Sequence, residues 1–125
     1  MKFAPVPLCV LLLLPACVKS RPTTTSTGDV SGEGLASWYG KQFAGKKTAS
    51  GELFDPNGFT AAHRTLKFGT CVKVELISSG RTVEVRVNDR GPFVQNRIID
   101  LSEEAAKQLG LLDEGVGKVR LSECG

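Results

Sequence analysis

The chain has 125 residues, 41% of them hydrophobic and 23% charged, with a formal net charge of +3. Once the N-terminal stretch is set aside, that length holds one domain of roughly 90 residues with a single small core and excludes a second domain. Acids and bases are interleaved throughout, so the clustered basic footprint of a nucleic-acid-binding protein is missing.

Lys2 precedes the apolar run "FAPVPLCVLLLLPAC", which is short for a membrane span and suited to the h-region of an export signal. The run ends in Leu14-Pro15-Ala16-Cys17, which resembles a bacterial lipobox, so residues 1–16 are expected to be a lipoprotein-type signal. Cys17 then carries acyl chains, each buried CH₂ adding about 0.8 kcal/mol of membrane affinity. Ordinary signal cleavage with a soluble product is the alternative. Val18 after Cys17, in place of Asp, fits sorting to an outer membrane. Residues 17–33, rich in Thr, Ser and Gly, read as a disordered tether, and residues 34–125 as the domain.

Cys9 leaves with the signal and Cys17 takes lipid, so the domain keeps Cys71 and Cys124. In an oxidising compartment that pair forms one disulfide, or else two buried thiols.

From Leu35 the composition changes, with Trp38 and Tyr39 in "LASWYG". These aromatics read either as core or as a sugar-stacking platform. "TASGELFDPNGFTAAH" follows as a Gly-rich loop region holding Glu52, Asp55 and the single histidine, His63. "CVKVELI" and "TVEVRV" alternate apolar and polar residues around "SSGR" and predict a β-hairpin. "VNDRGPF" ends the second strand with Asn88, Asp89 and Arg90 before Gly-Pro, and "RIIDLS" supplies Asp100. A short helix is predicted from Ser102 as N-cap to a stop at Gly110, and "GKVRLSEC" predicts a last strand. Many short strands with one helix suggest a small closed barrel.

Taken in order, "ASWYG", "TASGE", "TAAH", "VRVNDRGPF" and "RIIDLS" resemble the rare lipoprotein A (RlpA) family of bacterial cell-wall proteins. The resemblance covers Gly34 to about Glu123. It implies a mainly β fold, a six-stranded double-psi β-barrel with one or two short helices, and a groove for peptidoglycan glycan strands. It also implies lytic transglycosylase action, with Asp89, Glu52 and His63 as catalytic residues and Asp100 in the groove. Asn88, Trp38 and Tyr39 are expected to bind substrate. Arg64, outside the matched residues, is expected to be a bystander.

The chemistry asks for little. One carboxylic acid protonates the leaving oxygen of a glycosidic bond, then recovers a proton from the C6 hydroxyl that closes a 1,6-anhydro ring. Glycoside hydrolysis would usually take two carboxylates and a water. The acid must be protonated near neutral pH, which desolvation or a neighbouring carboxylate favours, and Asp100 and Glu52 are the candidate neighbours. Strand alternation sends Asp89 and Arg90 to opposite faces, Asp89 toward the groove. The plainer readings are that Asp89 makes a turn and Asp100 fixes the entry to the helix. An expansin-like barrel that binds and loosens glycan without cutting it is the rival function. One histidine and a paired set of cysteines leave no expectation of a zinc site, and no cofactor is called for. The expected product is a monomer in the bacterial cell envelope, held to a membrane by lipid.

Overall fold

The computed structural model describes residues 29–125. The expected signal, Cys17 and most of the expected tether lie outside the described residues.

Six strands, β1 (Gly32–Tyr39), β2 (Thr60–Ala62), β3 (Cys71–Leu76), β4 (Thr82–Asp89), β5 (Arg97–Ser102) and β6 (Gly117–Glu123), form a closed barrel in the order β1-β5-β2-β4-β3-β6. The β3–β4 hairpin, the helix α1 (Glu103–Leu109) and β6 follow the sequence pattern; a 3₁₀ turn at Lys41–Phe43 is the second helical piece. β1 begins at Gly32, inside the stretch read as tether, and Val30 just before it is buried in the core.

Two pairs, β1 with β5 and β2 with β4, are parallel, and the remaining pairs are antiparallel. Parallel neighbours cannot be joined by a tight hairpin, and the chain leaves long segments outside the strands, residues 40–59 between β1 and β2 and 90–96 between β4 and β5. Closure leaves no free sheet edge. The interior is filled by small and β-branched side chains, among them Ala36, Ala61, Val72, Val74, Val85, Val87 and Ile99. Such residues suit the narrow bore of a six-stranded barrel.

Helix α1 is placed by its cap. Ser102 Oγ accepts from the Ala105 amide, Glu103 and Glu104 occupy the first turn, and Gly110 ends the helix at φ 81°. Acids near the N-terminus complement the helix dipole, and a left-handed C-cap favours glycine. Ala105, Ala106 and Leu109 face inward against the core. Cys71, at the start of β3, is joined by a disulfide to Cys124, just past the end of β6, with Cα atoms 5.7 Å apart.

Candidate active site

Registration of the strands sets one row of side chains across the barrel mouth. Ser37 on β1 pairs with Asp100 on β5, Asp100 with Ala62 on β2, and Ala62 with Asp89 on β4. Between Ala61 and Ala62 the β2–β4 register shifts, so that Ala61 partners Val87 while Ala62 partners Asp89, and Asn88 is skipped. Register shifts of this kind re-aim a side chain and collect near functional sites. Here Asp89 leaves the inward row of Val83, Val85 and Val87 and joins the face of Ala62. Alanine between the two acids keeps the space above the row open.

That space is a cleft of about 300 Å³ with Asp89, Asp100, Ala62, Tyr39, Lys46 and Lys47 among its walls. Asp89 Oδ1 accepts from the amides of Ala49 at 2.9 Å and Arg90 at 2.8 Å. No donor among the described residues reaches Oδ2. The carboxyl is thereby held in one orientation with a single oxygen left for a ligand. Asp100 Oδ1 accepts from Ser37 Oγ. Tyr39, stacked at a tilt on Phe54 and edge-on to Phe43, has a buried hydroxyl with no partner among the described residues. Burial first, then the charges of Asp89 and Asp100, push its pKa up, so the phenol stays protonated.

Glu52 is not beside Asp89 in this cleft. Its carboxylate accepts from Arg86 Nη1 at 2.8 and 2.9 Å and from Asn88 Nδ2 at 3.1 Å, and it lines a separate depression with Asp55, Thr60, Arg86 and Asn88. Arg86 first, then Asn88, hold its pKa below the usual carboxylate range. Strand alternation explains the division, since Arg86 and Asn88 lie on one side of β4 and Val87 on the other. The Thr48–Glu52 loop wraps the strand end. Glu52 ties it on the outer side, the Ser50 amide donates to Asn88 O at 3.2 Å, and the Ala49 amide reaches Asp89 on the cleft side.

His63 lies next to Asp89 through its backbone, its amide donating to Asp89 O at 3.1 Å. Its Nδ1 accepts from the amides of Thr65 and Leu66, both at 3.2 Å, which puts the ring proton on Nε2. Burial, followed by the charges of Arg90 and Arg64, lowers its pKa. Arg90 forms no ion pair with Asp89. Its Nη1 donates to the carbonyls of His63 at 3.2 Å and Leu66 at 2.7 Å, and its guanidinium lies 4.0 Å from the Phe68 ring centre. Trp38 is opposite to Tyr39 on β1 and packs against the core. Among the described residues the one group of three close metal-type donors is Cys71, Glu84 and Cys124, and both sulfurs are committed to the disulfide.

Residues 31–121 match the double-psi β-barrel family described as lytic transglycolase. The chain belongs to this family. It is 51% identical over 104 residues to the endolytic peptidoglycan transglycosylase RlpA of Campylobacter jejuni, a match that covers 83% of this chain and 38% of that protein. With the probable endolytic peptidoglycan transglycosylase RlpA of a Synechocystis species it shares 57% identity over 88 residues, 70% of this chain and 27% of the relative. The chain thus spans about a quarter to two fifths of the length of these curated relatives. A mutant Clavibacter michiganensis expansin in complex with cellohexaose superimposes with a TM-score of 0.60 at 20% identity, over 76% of this chain and 50% of that one. That likeness concerns the fold alone.

Three residues at this cleft, Ser37, Lys46 and Lys47, are not among those the sequence motifs point to. Ser37 carries a readable signal, because alternation in "ASWYG" puts Ser37 and Tyr39 on one face and Ala36 and Trp38 on the other. Lys46 and Lys47 stand in the "GKKT" turn before the "TASGE" motif, and nothing local marks them as wall residues.

Proposed function

We propose that this domain is an endolytic peptidoglycan transglycosylase of the cell envelope, cleaving the bond between N-acetylmuramic acid and N-acetylglucosamine with a 1,6-anhydromuramic product. The single observation that carries the reading is the Asp89 carboxyl, with one oxygen fixed by two amides and the other free in a cleft that holds a second acid. Family membership and the names of relatives more than 50% identical support the substrate class.

In the proposed step Asp89 Oδ2 gives its proton to the bridging oxygen as the C1–O bond breaks. The C6 hydroxyl of the same muramic residue attacks C1, and its proton returns to Asp89, so that no water is consumed. A sugar filling the cleft displaces water from around Asp89 and Asp100. Asp100, oriented by Ser37, and the neutral Tyr39 hydroxyl serve as acceptor and donor for sugar hydroxyls. Lys46 and Lys47 face the anionic lactyl and stem-peptide groups that mark muramic acid.

Glu52 acts as a positioning residue in this reading, fixing the loop that delivers the Ala49 amide to Asp89. His63 holds the turn whose carbonyls receive Arg90. Asn88 links Glu52 to the strand end, and Trp38 is core. Cys17 is proposed as the lipid anchor.

Digestion of purified sacculi in ¹⁸O-labelled water, followed by mass analysis, tests the proposal. Anhydro-products without label are expected. Label at C1 of the new ends would make water the acceptor and overturn it, and retained binding without release would favour the expansin-like alternative.

A further inference from the structure

An aromatic ring stands in solvent close to Asp89, and it is not Trp38 or Tyr39. Phe93 is 81% exposed. It follows Asp89 by four residues, so their Cα atoms are no more than about 14 Å apart. Arg90, between them, lines the cleft. The chain thus runs from the cleft wall at Arg90 to Phe93 within three residues.

The segment that carries this ring is built to hold it out. Gly91 has φ 123°, a conformation that L side chains rarely adopt, and Phe93 lies over it, with ring carbons 3.7 and 3.8 Å from where a Gly91 Cβ would stand. Pro92 fixes the next backbone dihedral. Arg64 then clasps the carbonyls on either side of Phe93, donating from Nε to Pro92 O at 2.6 Å and from Nη2 to Val94 O at 2.8 Å, and from Nη2 also to Arg97 O at 2.9 Å. Arg64 is no bystander, since three of its contacts organise one loop. Water contact with an apolar ring is unfavourable, and these contacts fix the backbone on both sides of it. Held outward, the ring offers a preorganised flat surface, and the ordering cost of binding falls accordingly.

We infer that Phe93 is a stacking subsite for a pyranose ring of the glycan strand, next to the ring whose bond Asp89 breaks, and that Arg64 is its positioning residue. A ring without hydrogen-bonding groups complements the C–H face of a sugar, and its Cα, within about 14 Å of that of Asp89, is near enough for the same strand to reach both. The inference rests on the glycan-cleaving reading for its ligand but concerns binding, not turnover.

The test is calorimetric titration with a tetrasaccharide of alternating N-acetylglucosamine and N-acetylmuramic acid, using Asp89→Asn as the parent so that nothing is cut. Phe93→Ala is expected to weaken binding about three- to tenfold, in line with the value of a buried aromatic contact. Phe93→Tyr should stay within about twofold of the parent on the same scale. Arg64→Ala should weaken binding too, and the double variant should be no worse than the Phe93→Ala variant, because the clamp acts through the ring. Equal affinity of Phe93→Ala and the parent, simple additivity of the two changes, or no measurable binding by the parent would each overturn the inference. Binding that depends on Phe93 in a protein whose wild type releases no anhydro-product would instead sink the lytic reading and leave the subsite standing.

Discussion

Replacing Asp89 by Asn isolates proton transfer from nearly everything else the side chain does. The amide oxygen of Asn can take the place of Oδ1, which accepts from the Ala49 and Arg90 amides at 2.9 and 2.8 Å in the wild type. Two charge-assisted bonds become neutral ones, a loss of roughly 1 kcal/mol each. The amide nitrogen then stands where Oδ2 was, able to donate a hydrogen bond but unable to give up and recover a proton. Lysis should fall by about 10²- to 10⁴-fold, which is about 2.7 to 5.4 kcal/mol in the barrier. The assay is release of soluble anhydro-muropeptides from sacculi, alongside a pull-down on the same sacculi and a thermal melt. Reduced turnover with retained binding and a melting temperature lowered by no more than about 10 °C is the expected set. Wild-type turnover by Asp89→Asn would refute the reasoning, and the proton role would pass to Asp100 across Ala62.

Two stability measurements follow from the same structure. His63 has a folded pKa below its unfolded value, so as pH falls through the ordinary histidine range the unfolded chain takes the proton first and stability declines. The melting temperature should therefore drop from pH 7 to pH 5, and His63→Asn should flatten that slope; an equal slope in the variant would remove His63 as its source. The disulfide closes a segment with a sequence separation of 53, and loop-closure entropy assigns it about 4 kcal/mol. Cys71→Ser should lower the melting temperature by roughly 20 °C for a domain of this size, and an unchanged melt would contradict the entropic account.

What the sequence made legible and what it did not divide along physical lines. The β3–β4 hairpin and β6 show clean alternation, and α1 carries its cap and its stop, so local pattern is enough for them. β2 gives no such signal, because Thr60–Ala62 is three residues long and buried throughout. β5 is hidden for another reason: Ile98 and Ile99 sit side by side in the sequence where the register against β1 slips by one residue, which breaks period-two alternation. At the site, Asp89 is marked by its strand-end position, whereas Asp100, within β5, is pointed to by the family resemblance alone. The placement of Glu52 could not be read locally, since it depends on how a loop from another part of the chain crosses the end of β4. The same holds for Arg64, whose three acceptors lie 28 to 33 residues along the chain.

The two parallel pairs explain why a small barrel can carry such a site. Each pair skips one residue, Ile98 between the partners of Leu35 and Ala36, and Asn88 between the partners of Ala61 and Ala62. Each skip comes just ahead of an acid. Past the first, Ala36 meets Ile99 in the core and Ser37 meets Asp100 in the cleft. Past the second, Ala62 meets Asp89, which by uninterrupted alternation would have shared the interior face of Val87. A carboxylate on that face would be surrounded by Val85, Val87 and Leu101, an environment that penalises its charge heavily. The displaced residue, Asn88, is 3% exposed and turns to Glu52, and through Glu52 it secures the loop whose amide grips Asp89. The irregularity that frees the acid from the core thus also supplies the tie that orients it, so the positions of Asn88, Glu52 and Asp89 in the strand end and its covering loop are parts of one arrangement.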